Sequence, residues 1–583
     1  MPSVDSSAAR RELAAAHGFP GESGRTSARA GVGGPIRGGV QMKKLGVALA
    51  MTIAAVGAAH AADLPTKKEA PPLPPNCFSS VWAYMDSSAA DCPLSWGPLT
   101  FYATLDIGLQ YESNGAAYSP TQPNGTASFI NKQAYGSKWL WSPNNLSQSV
   151  VGLKLSQPLP FLSGPFLSGW SLVGTVETGF QPLSWNLANG ARSLAQNNGK
   201  AQLFQGFGAD SARDGEWDNS QGFIGFSNKT YGTLVGGRVN TLGLDGLISY
   251  DVMSSAYAFS PFGFSGSYAG FGDTELTRSN TAIKYNWNSQ NLVSWMNFHV
   301  AGLAQIGSYN QGNASTEMWQ GQIGADFPHL FAGNAFAGTL SADFIGGYAQ
   351  NAVNLSNFTG TCAVLKSGPF KGQTGCTDGV PEFYNGGDLK ATLSNNVGIF
   401  LLGKYKFDQF PLTISGGWER IKQSDPSSRF PNGFESIAGY SVPGTITGNK
   451  LFPTTWISYT TYADNRIANV FFIGAKYAVT SQIDVAAAYY YLEQNNFNSS
   501  TTPCAYANST IFQPNGNPLV VSRVNNSACA GSQDAISFLI DYRPVKRVDL
   551  YAGVMISNVY GGLANSFAVT QEIAPTAGLR IKF

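Results

Sequence analysis

Four carboxylates and four cations carry most of the chemistry this sequence could perform. Asp245, Asp251, Asp273 and Glu275 fall in one polar stretch, 241–276, while Lys154, Arg238, Arg278 and Lys284 occupy polar-phase positions of neighbouring segments. Set across a narrow aqueous passage, opposed acidic and basic walls create a transverse field that orients dipolar solutes and disfavours apolar ones. The plainer reading of each residue is a solvated charge or an ion pair that anchors a loop. Asp106 and Glu177 also fall on the polar face, with a weaker claim.

Other chemistry is poorly supported. Six Cys form three local pairs, Cys77/Cys92, Cys362/Cys376 and Cys504/Cys529, with no C-x-x-C spacing of a metal or redox site. In an exported chain such pairs read as disulfides, although six Cys allow about 15 connectivities. His299 sits among apolar residues and His329 follows Phe327-Pro328 in an expected turn, so both read as structural. No nucleophile, base and orienter are visibly assembled. No phosphate-binding glycine loop or metal cluster appears, so we expect neither an enzyme nor a cofactor.

The elements that must position these residues have period two. In 102–111 the odd positions are apolar and the even ones are Tyr, Thr, Asp, Gly and Gln. The alternation recurs in 281–287, 412–419 and 471–477, giving strands with one greasy and one wet face. Only 12% of residues are charged, against about 25% in soluble proteins. Past residue 61 no apolar run of about 20 offers a spanning helix. A polar lumen and an apolar exterior fit this pattern, as does the sandwich core of a large secreted β-protein.

We expect 16 strands, at 100–112, 146–156, 170–182, 219–228, 231–240, 277–288, 293–307, 315–327, 336–348, 395–408, 411–421, 466–479, 482–494, 532–543, 547–558 and 568–583. Short turns at 228–230, 408–410, 480–481 and 544–546 alternate with long polar connections at 183–218, 241–276, 349–394, 422–465 and 495–531. Short turns at one end and long loops at the other favour a transmembrane barrel over a sandwich.

The N-terminal region reads in three parts. Residues 42–61 are a signal peptide: Met42-Lys43-Lys44, an apolar run 45–59, and a small-x-small cleavage site at Ala59-His60-Ala61. The mature chain is then expected to begin at Ala62, and 1–41 are a start placed too early or a disordered preface. Residues 62–99 are a periplasmic extension, with the stiff spacer Pro71-Pro72-Leu73-Pro74-Pro75 followed by a short helix closed by Cys77 and Cys92. Beyond it, 100–583 form the barrel. Without residues 1–61 the chain has 29 Lys and Arg against 32 Asp and Glu, which argues against a nucleic-acid partner.

The chain stops on Leu579-Arg580-Ile581-Lys582-Phe583. With Thr576 and Gly578, Ile581 and Phe583 resemble the terminal signal read by the outer-membrane barrel-assembly machinery, although Ile581 stands where an aromatic is commoner. From about Leu99 onward the chain resembles the general porins of Gram-negative outer membranes. The segments 218–227 and 231–238 are similar to that family's central hairpin, and 278–285 to the strand after its inward-folded third loop. The proline-rich extension, the Cys pairs and the long outer loops depart from the family, and its acidic loop motif is present only loosely, at 270–275.

The resemblance implies a 16-stranded antiparallel barrel in outer-membrane lipid, usually a homotrimer, with the third loop narrowing a pore for small hydrophilic solutes. The expected constriction is Asp245, Asp251, Asp273 and Glu275 facing Arg238, Arg278, Lys284 and Lys154. The alternative is a surface adhesin or binding barrel that acts through long, disulfide-closed outer loops.

Overall fold

The computed structural model describes residues 77–583 except 115–129, 131–135, 186–219, 265–277, 290–294, 307–316, most of 359–388 and of 426–463, 498–502, 513–517 and four single positions. The chain forms a closed antiparallel barrel of 16 strands. In order these are β1 (Leu99–Glu112), β2 (Lys138–Pro143 and Val150–Pro158), β3 (Trp170–Gly179), β4 (Gly222–Asn228), β5 (Gly232–Asn240), β6 (Arg278–Asn288), β7 (Asn297–Ile306) and β8 (Glu317–Leu330). They continue with β9 (Gly338–Phe358), β10 (Leu389–Phe407), β11 (Leu412–Ser424), β12 (Arg466–Ala478), β13 (Ile483–Gln494), β14 (Gly531–Val545), β15 (Val548–Gly561) and β16 (Gln571–Lys582).

Each strand pairs with the next, and β16 returns to β1 with Asp106 opposite Arg580 and Gly108 opposite Gly578. Phe583 carries the seam one residue further, its N–H donating to the Ala103 carbonyl at 2.8 Å. Closure leaves no unpaired sheet edge, which a bilayer would not tolerate.

The period-two reading fixes the faces. Ile224, Leu234, Ile283, Ile323, Leu401, Ile473 and Ile540 stand exposed on the outside, forming an apolar belt far larger than a soluble surface carries. Alternate residues point inward and are polar or charged along most strands. No helix of the described residues is long and apolar enough to cross a membrane.

Long and short connections alternate as expected, with differences at some boundaries. β2 begins at Lys138 rather than 146 and breaks between Pro143 and Val150. The break is held by Asp106, which accepts from the N–H groups of Leu146 at 2.7 Å and Ser147 at 3.0 Å, while Asn144 turns through φ +60°. Asn tolerates that region better than most residues. β9 runs ten residues past its expected end, and β10 begins six residues before its expected start.

The segment after Cys77 clasps the barrel's short-turn end. Cys77 and Cys92 are joined and enclose helix α1 (Val81–Met85), N-capped by Ser80. Arg547, in the turn between β14 and β15, is buried inside this loop with 2% exposure. Its guanidinium donates to the carbonyls of Tyr84 at 3.0 Å, Ser88 at 3.2 Å and Cys92 at 2.6 Å, and lies 4.1 Å from the Tyr84 ring centre. The short strand Leu94–Trp96 then pairs with the start of β1. Residues 1–76, with the expected leader and spacer, lie outside the described residues.

Candidate functional site

The third long loop enters the barrel. Helix α2 (Leu242–Tyr250) starts on the N-cap of Thr241, whose hydroxyl accepts from Leu244 N–H. The Leu242 N–H reaches Gln320 Oε1 on β8 at 2.8 Å. Leu242 and Leu247 share one buried apolar cluster with Ile345 of β9 and Phe400 of β10, and a Cβ on Gly246 would stand 2.5 Å from Ile345 Cδ1 and 2.9 Å from Leu402 Cδ1. Further on, Phe262 packs edge-on against Phe472 and Tyr490, and Phe259 against Tyr551. Burying each such side chain stabilises the seat by roughly 2 kcal/mol. The apolar wall residues under the loop are therefore a small core, built where the lumen face would otherwise be polar.

Polar ties fix the loop. Tyr250 donates to Asp343 Oδ2 at 2.6 Å, and Lys404 Nζ donates to the Ser249 carbonyl at 3.2 Å, at the electronegative end of α2. Lys284 is nearly buried; it pairs with Asp245 and donates to the Asn240 carbonyl at 2.9 Å. Asp251 is 3% exposed, and it accepts from Tyr490 at 2.7 Å, Met253 N–H at 3.1 Å and Ser255 N–H at 3.0 Å. Those last bonds hold Ser254 and Ser255 in consecutive left-handed conformations, a strain that needs such support. Burial pushes the Asp251 carboxyl and the Tyr250 hydroxyl above their ordinary values.

The described part of the loop packs on β8 to β15 and also reaches the other side, where Ala258 N–H donates to the Asn145 carbonyl at 3.0 Å and the wall runs from β1 to β6. That wall carries a connected network centred on Glu177. Tyr102 donates to Glu177 Oε2 at 2.8 Å, and the Ser220 hydroxyl donates to Oε1. Arg238 Nε donates to the Ser220 carbonyl at 3.0 Å, and Arg278 is within electrostatic reach of Glu177. Lys154 lies 4.7 Å above the Tyr102 ring. Tyr257 faces the same carboxylate from the loop side, and burial together with that charge pushes its hydroxyl up to about 12.

The eight expected constriction residues thus separate into groups. Lys154, Arg238 and Arg278 lie around the Glu177 network on the wall from β1 to β6, where Arg238 is buried. Asp245 and Lys284 meet each other at the root of the loop, and Asp251 is buried against Tyr490 of β13. Asp273 and Glu275 lie outside the described residues. Cys504 and Cys529 are joined. Cys362 stands opposite Cys376 in a short backbone ladder, and their side chains lie outside the described residues.

His299 corrects the reading of the sequence. Its neighbours in the chain are apolar because they face lipid, whereas His299 itself faces the lumen, with Nε2 2.6 Å from Asp343 Oδ1. His329 is at the end of β8 instead of in a turn, 3.5 Å from Asp408.

A structural rule links these contacts. Tyr102, Gly152 and Glu177 are opposite one another on three adjacent strands, and so are His299, Gly324 and Asp343. Two strands away means roughly 10 Å, so long side chains meet only if the middle residue has none. A Cβ at Gly152 would stand 2.5 Å from the Tyr102 ring, and one at Gly324 would stand 1.9 Å from Asp343 Oδ1. Gly578 does the same at the seam, where Tyr551 reaches over it to donate to Asp106 Oδ1 at 2.5 Å. Glycines in the polar phase of a strand, flanked by strands with long polar residues, are the sequence signal that would have found these pairs.

No family model matches the sequence, and no curated protein matches it. Among solved structures, the anion-selective porin from Comamonas acidovorans superposes with a TM-score of 0.45 at 13% identity, over 83% of this chain and 99% of that one. OmpT of Vibrio cholerae gives 0.43 at 11%, over 84% and 100%. OprB of Pseudomonas putida gives 0.39 at 11%, over 83% and 94%. At these values the likeness assigns neither solute nor assembly to this chain, whose barrel rests on its own strand register.

Proposed function

We propose that this chain is an outer-membrane porin of a Gram-negative bacterium, a passive water-filled channel for small hydrophilic solutes and ions. The observation that carries this reading is the seat of the third loop. It is held inside the barrel by apolar packing, by the Lys284–Asp245 pair and by the Tyr250–Asp343 and Asp251–Tyr490 bonds, beside the polar Glu177 network on the wall from β1 to β6. A loop so placed narrows the passage. Its constriction is formed by Lys154, Glu177, Arg238 and Arg278 on the wall, with Asp273 and Glu275 supplying the opposing charge.

In the same proposal residues 42–61 are a cleaved signal peptide, 62–99 lie in the periplasm, and the terminal strand with Gly578, Ile581 and Phe583 is read by the assembly machinery. The barrels associate as homotrimers, and Cys362 and Cys376 are bonded. Single-channel recording in planar bilayers tests the central claim. Stepwise conductance of open-pore size is expected, and a sealed bilayer with folded protein would overturn it.

A second reading, a surface-binding barrel, is favoured by one feature. The loop between β13 and β14 is built around a hairpin, Tyr506–Phe512 with Pro518–Val524, flanked by the Cys504–Cys529 bond. Arg523 ties it to the carbonyls of Phe567 and Ala568, while Tyr506 and Val520 stand exposed. The conductance measurement separates the two readings.

A further inference from the structure

The outward face of the barrel is apolar along most strands, because charge is costly there wherever lipid is the neighbour. Four charged side chains depart from this pattern at the long-loop end of β11 to β14. On β11 the inward phase belongs to Glu419, Ile421 and Gln423, all buried, so Arg420 and Lys422 point outward and are exposed. On β13 Glu493 shares the outward phase of Tyr489, and on β14 Asp534 shares that of Phe538 and Ile540.

These charges are sorted by sign. The cations stand on β11 and the acids on β13 and β14, with Asn469 of β12 opposite both Arg420 and Glu493. Asn469 Nδ2 donates to Glu493 Oε1 at 3.3 Å, Asn558 Nδ2 to Asp534 Oδ1 at 2.8 Å, and Gln571 Nε2 to Asn558 Oδ1 at 3.0 Å. Neutral amides orient the carboxylates without cancelling their charge. Arg420 and Lys422 meet no carboxylate among the described residues. The band thus holds two opposite half-sites, two to three strand spacings of about 4.8 Å apart, that leave each other unpaired.

A second copy of the chain satisfies both. Copies in one bilayer point the same way, so they are related by rotation about the membrane normal. That rotation turns the β11 edge of one barrel towards the β13–β14 edge of the next and keeps the two at equal depth. Ion pairs formed away from bulk water are strong, whereas apolar packing gives little drive between barrels because lipid is equally apolar. A phosphate-bearing lipid headgroup fits less well. It would be drawn to the cations and repelled by the acids in the same band.

We propose that the outward face of β11 to β14 is the contact between copies of this chain, with Arg420 and Lys422 of one copy paired to Glu493 and Asp534 of the next. The inference rests on the homotrimer of the proposed function, whose contact face it names, and does not depend on conduction.

The test is native mass spectrometry of the full-length protein in mild detergent, with heat-modified gel mobility showing that each barrel is closed. The parent should be a trimer. Arg420→Glu with Lys422→Glu should give monomers, and so should Glu493→Lys with Asp534→Lys. All four substitutions in one chain exchange the half-sites and should restore the trimer. Arg420→Gln with Lys422→Gln introduces no repulsion and should raise the concentration of half-assembly about tenfold, the size expected for losing charge-assisted contacts. Trimers in every variant would overturn this face and leave the assembly standing. A monomeric parent would overturn both, and the channel reading would still be decided by conductance. A trimer lost in Arg420→Glu with Lys422→Glu and not regained in the fourfold exchange would overturn the pairing and assign the two cations to a phosphate-bearing lipid.

Discussion

His299 and Asp343 are on strands that do not touch, yet His299 Nε2 lies 2.6 Å from Asp343 Oδ1 because Gly324 between them has no side chain. The same carboxylate receives the Tyr250 hydroxyl from the inward loop. A missing Cβ on β8 therefore joins two distant strands and seats a loop helix.

Gly324→Ala should break this bridge and spare the barrel. The new Cβ would meet only side-chain ends, Asp343 Oδ1 at 1.9 Å and His299 Nε2 at 2.1 Å, which can turn away. The expected cost is about 1–3 kcal/mol for unpaired buried groups, with noisier open-channel current as α2 loosens. Gly578→Ala should cost more, since its Cβ would stand 2.6 Å from the Ile107 carbonyl oxygen at the seam. Heat-modified mobility on denaturing gels ranks the two, and the reverse order would contradict this account.

Asp251→Ala should free the loop from β13 by removing the acceptor for Tyr490 and for two backbone N–H groups. The loss is about 3 kcal/mol, and it should depend on pH. Burial raises the folded-state pKa of Asp251. The protonated carboxyl is thus favoured in the fold, and its contribution is full below the unfolded value of about 3.9. It fades as pH rises through the folded value. The stability gap between parent and variant should be widest in acid and narrow towards alkaline pH, as read by thermal unfolding in detergent. A gap that widens with pH would refute the assignment.

Arg547→Ala should release the disulfide-closed segment without opening the barrel. Three carbonyls would lose their donor and Tyr84 its cation. Limited proteolysis should then cut within 77–98, and mass spectrometry should find the strands intact. Arg547→Lys should rescue only partly, because a single ammonium reproduces a guanidinium fork poorly. Reducing the Cys77–Cys92 bond should add to the release, since closing a loop of 15 residues contributes about 3 kcal/mol. Unchanged protease resistance in Arg547→Ala would show that the clasp holds by other means.

Neutralising Arg238 and Arg278 should shift the reversal potential in a salt gradient towards cations. Glu177→Gln, and Asp273→Asn with Glu275→Gln, should shift it towards anions. Fixed charge acts strongly in a narrow lumen because screening over a few ångströms is incomplete. Charge changes on the outer loops should be near silent. Identical potentials in all variants would place the constriction elsewhere.

The sequence by itself determined the barrel. Strand number, alternation of faces and alternation of long and short connections all follow from period two and turn chemistry, which are local properties. Asp106, Glu177, Arg238 and Arg278 were legible as inward-facing from phase alone. Phase does not say which inward residues meet. Asp251 and Asp245 read like pore charges, yet one is buried under the loop and the other pairs with Lys284, because the path of the third loop is set by packing on β9, β10, β12 and β13. His299 looked apolar from its neighbours along the chain. Its partner Asp343 comes from β9, 44 residues away, and only the pairing of β7, β8 and β9 brings the two together. Arg547 gave no signal at all, since an arginine in a two-residue turn is ordinarily solvated. It became an anchor when a segment more than 450 residues earlier wrapped its carbonyls around it.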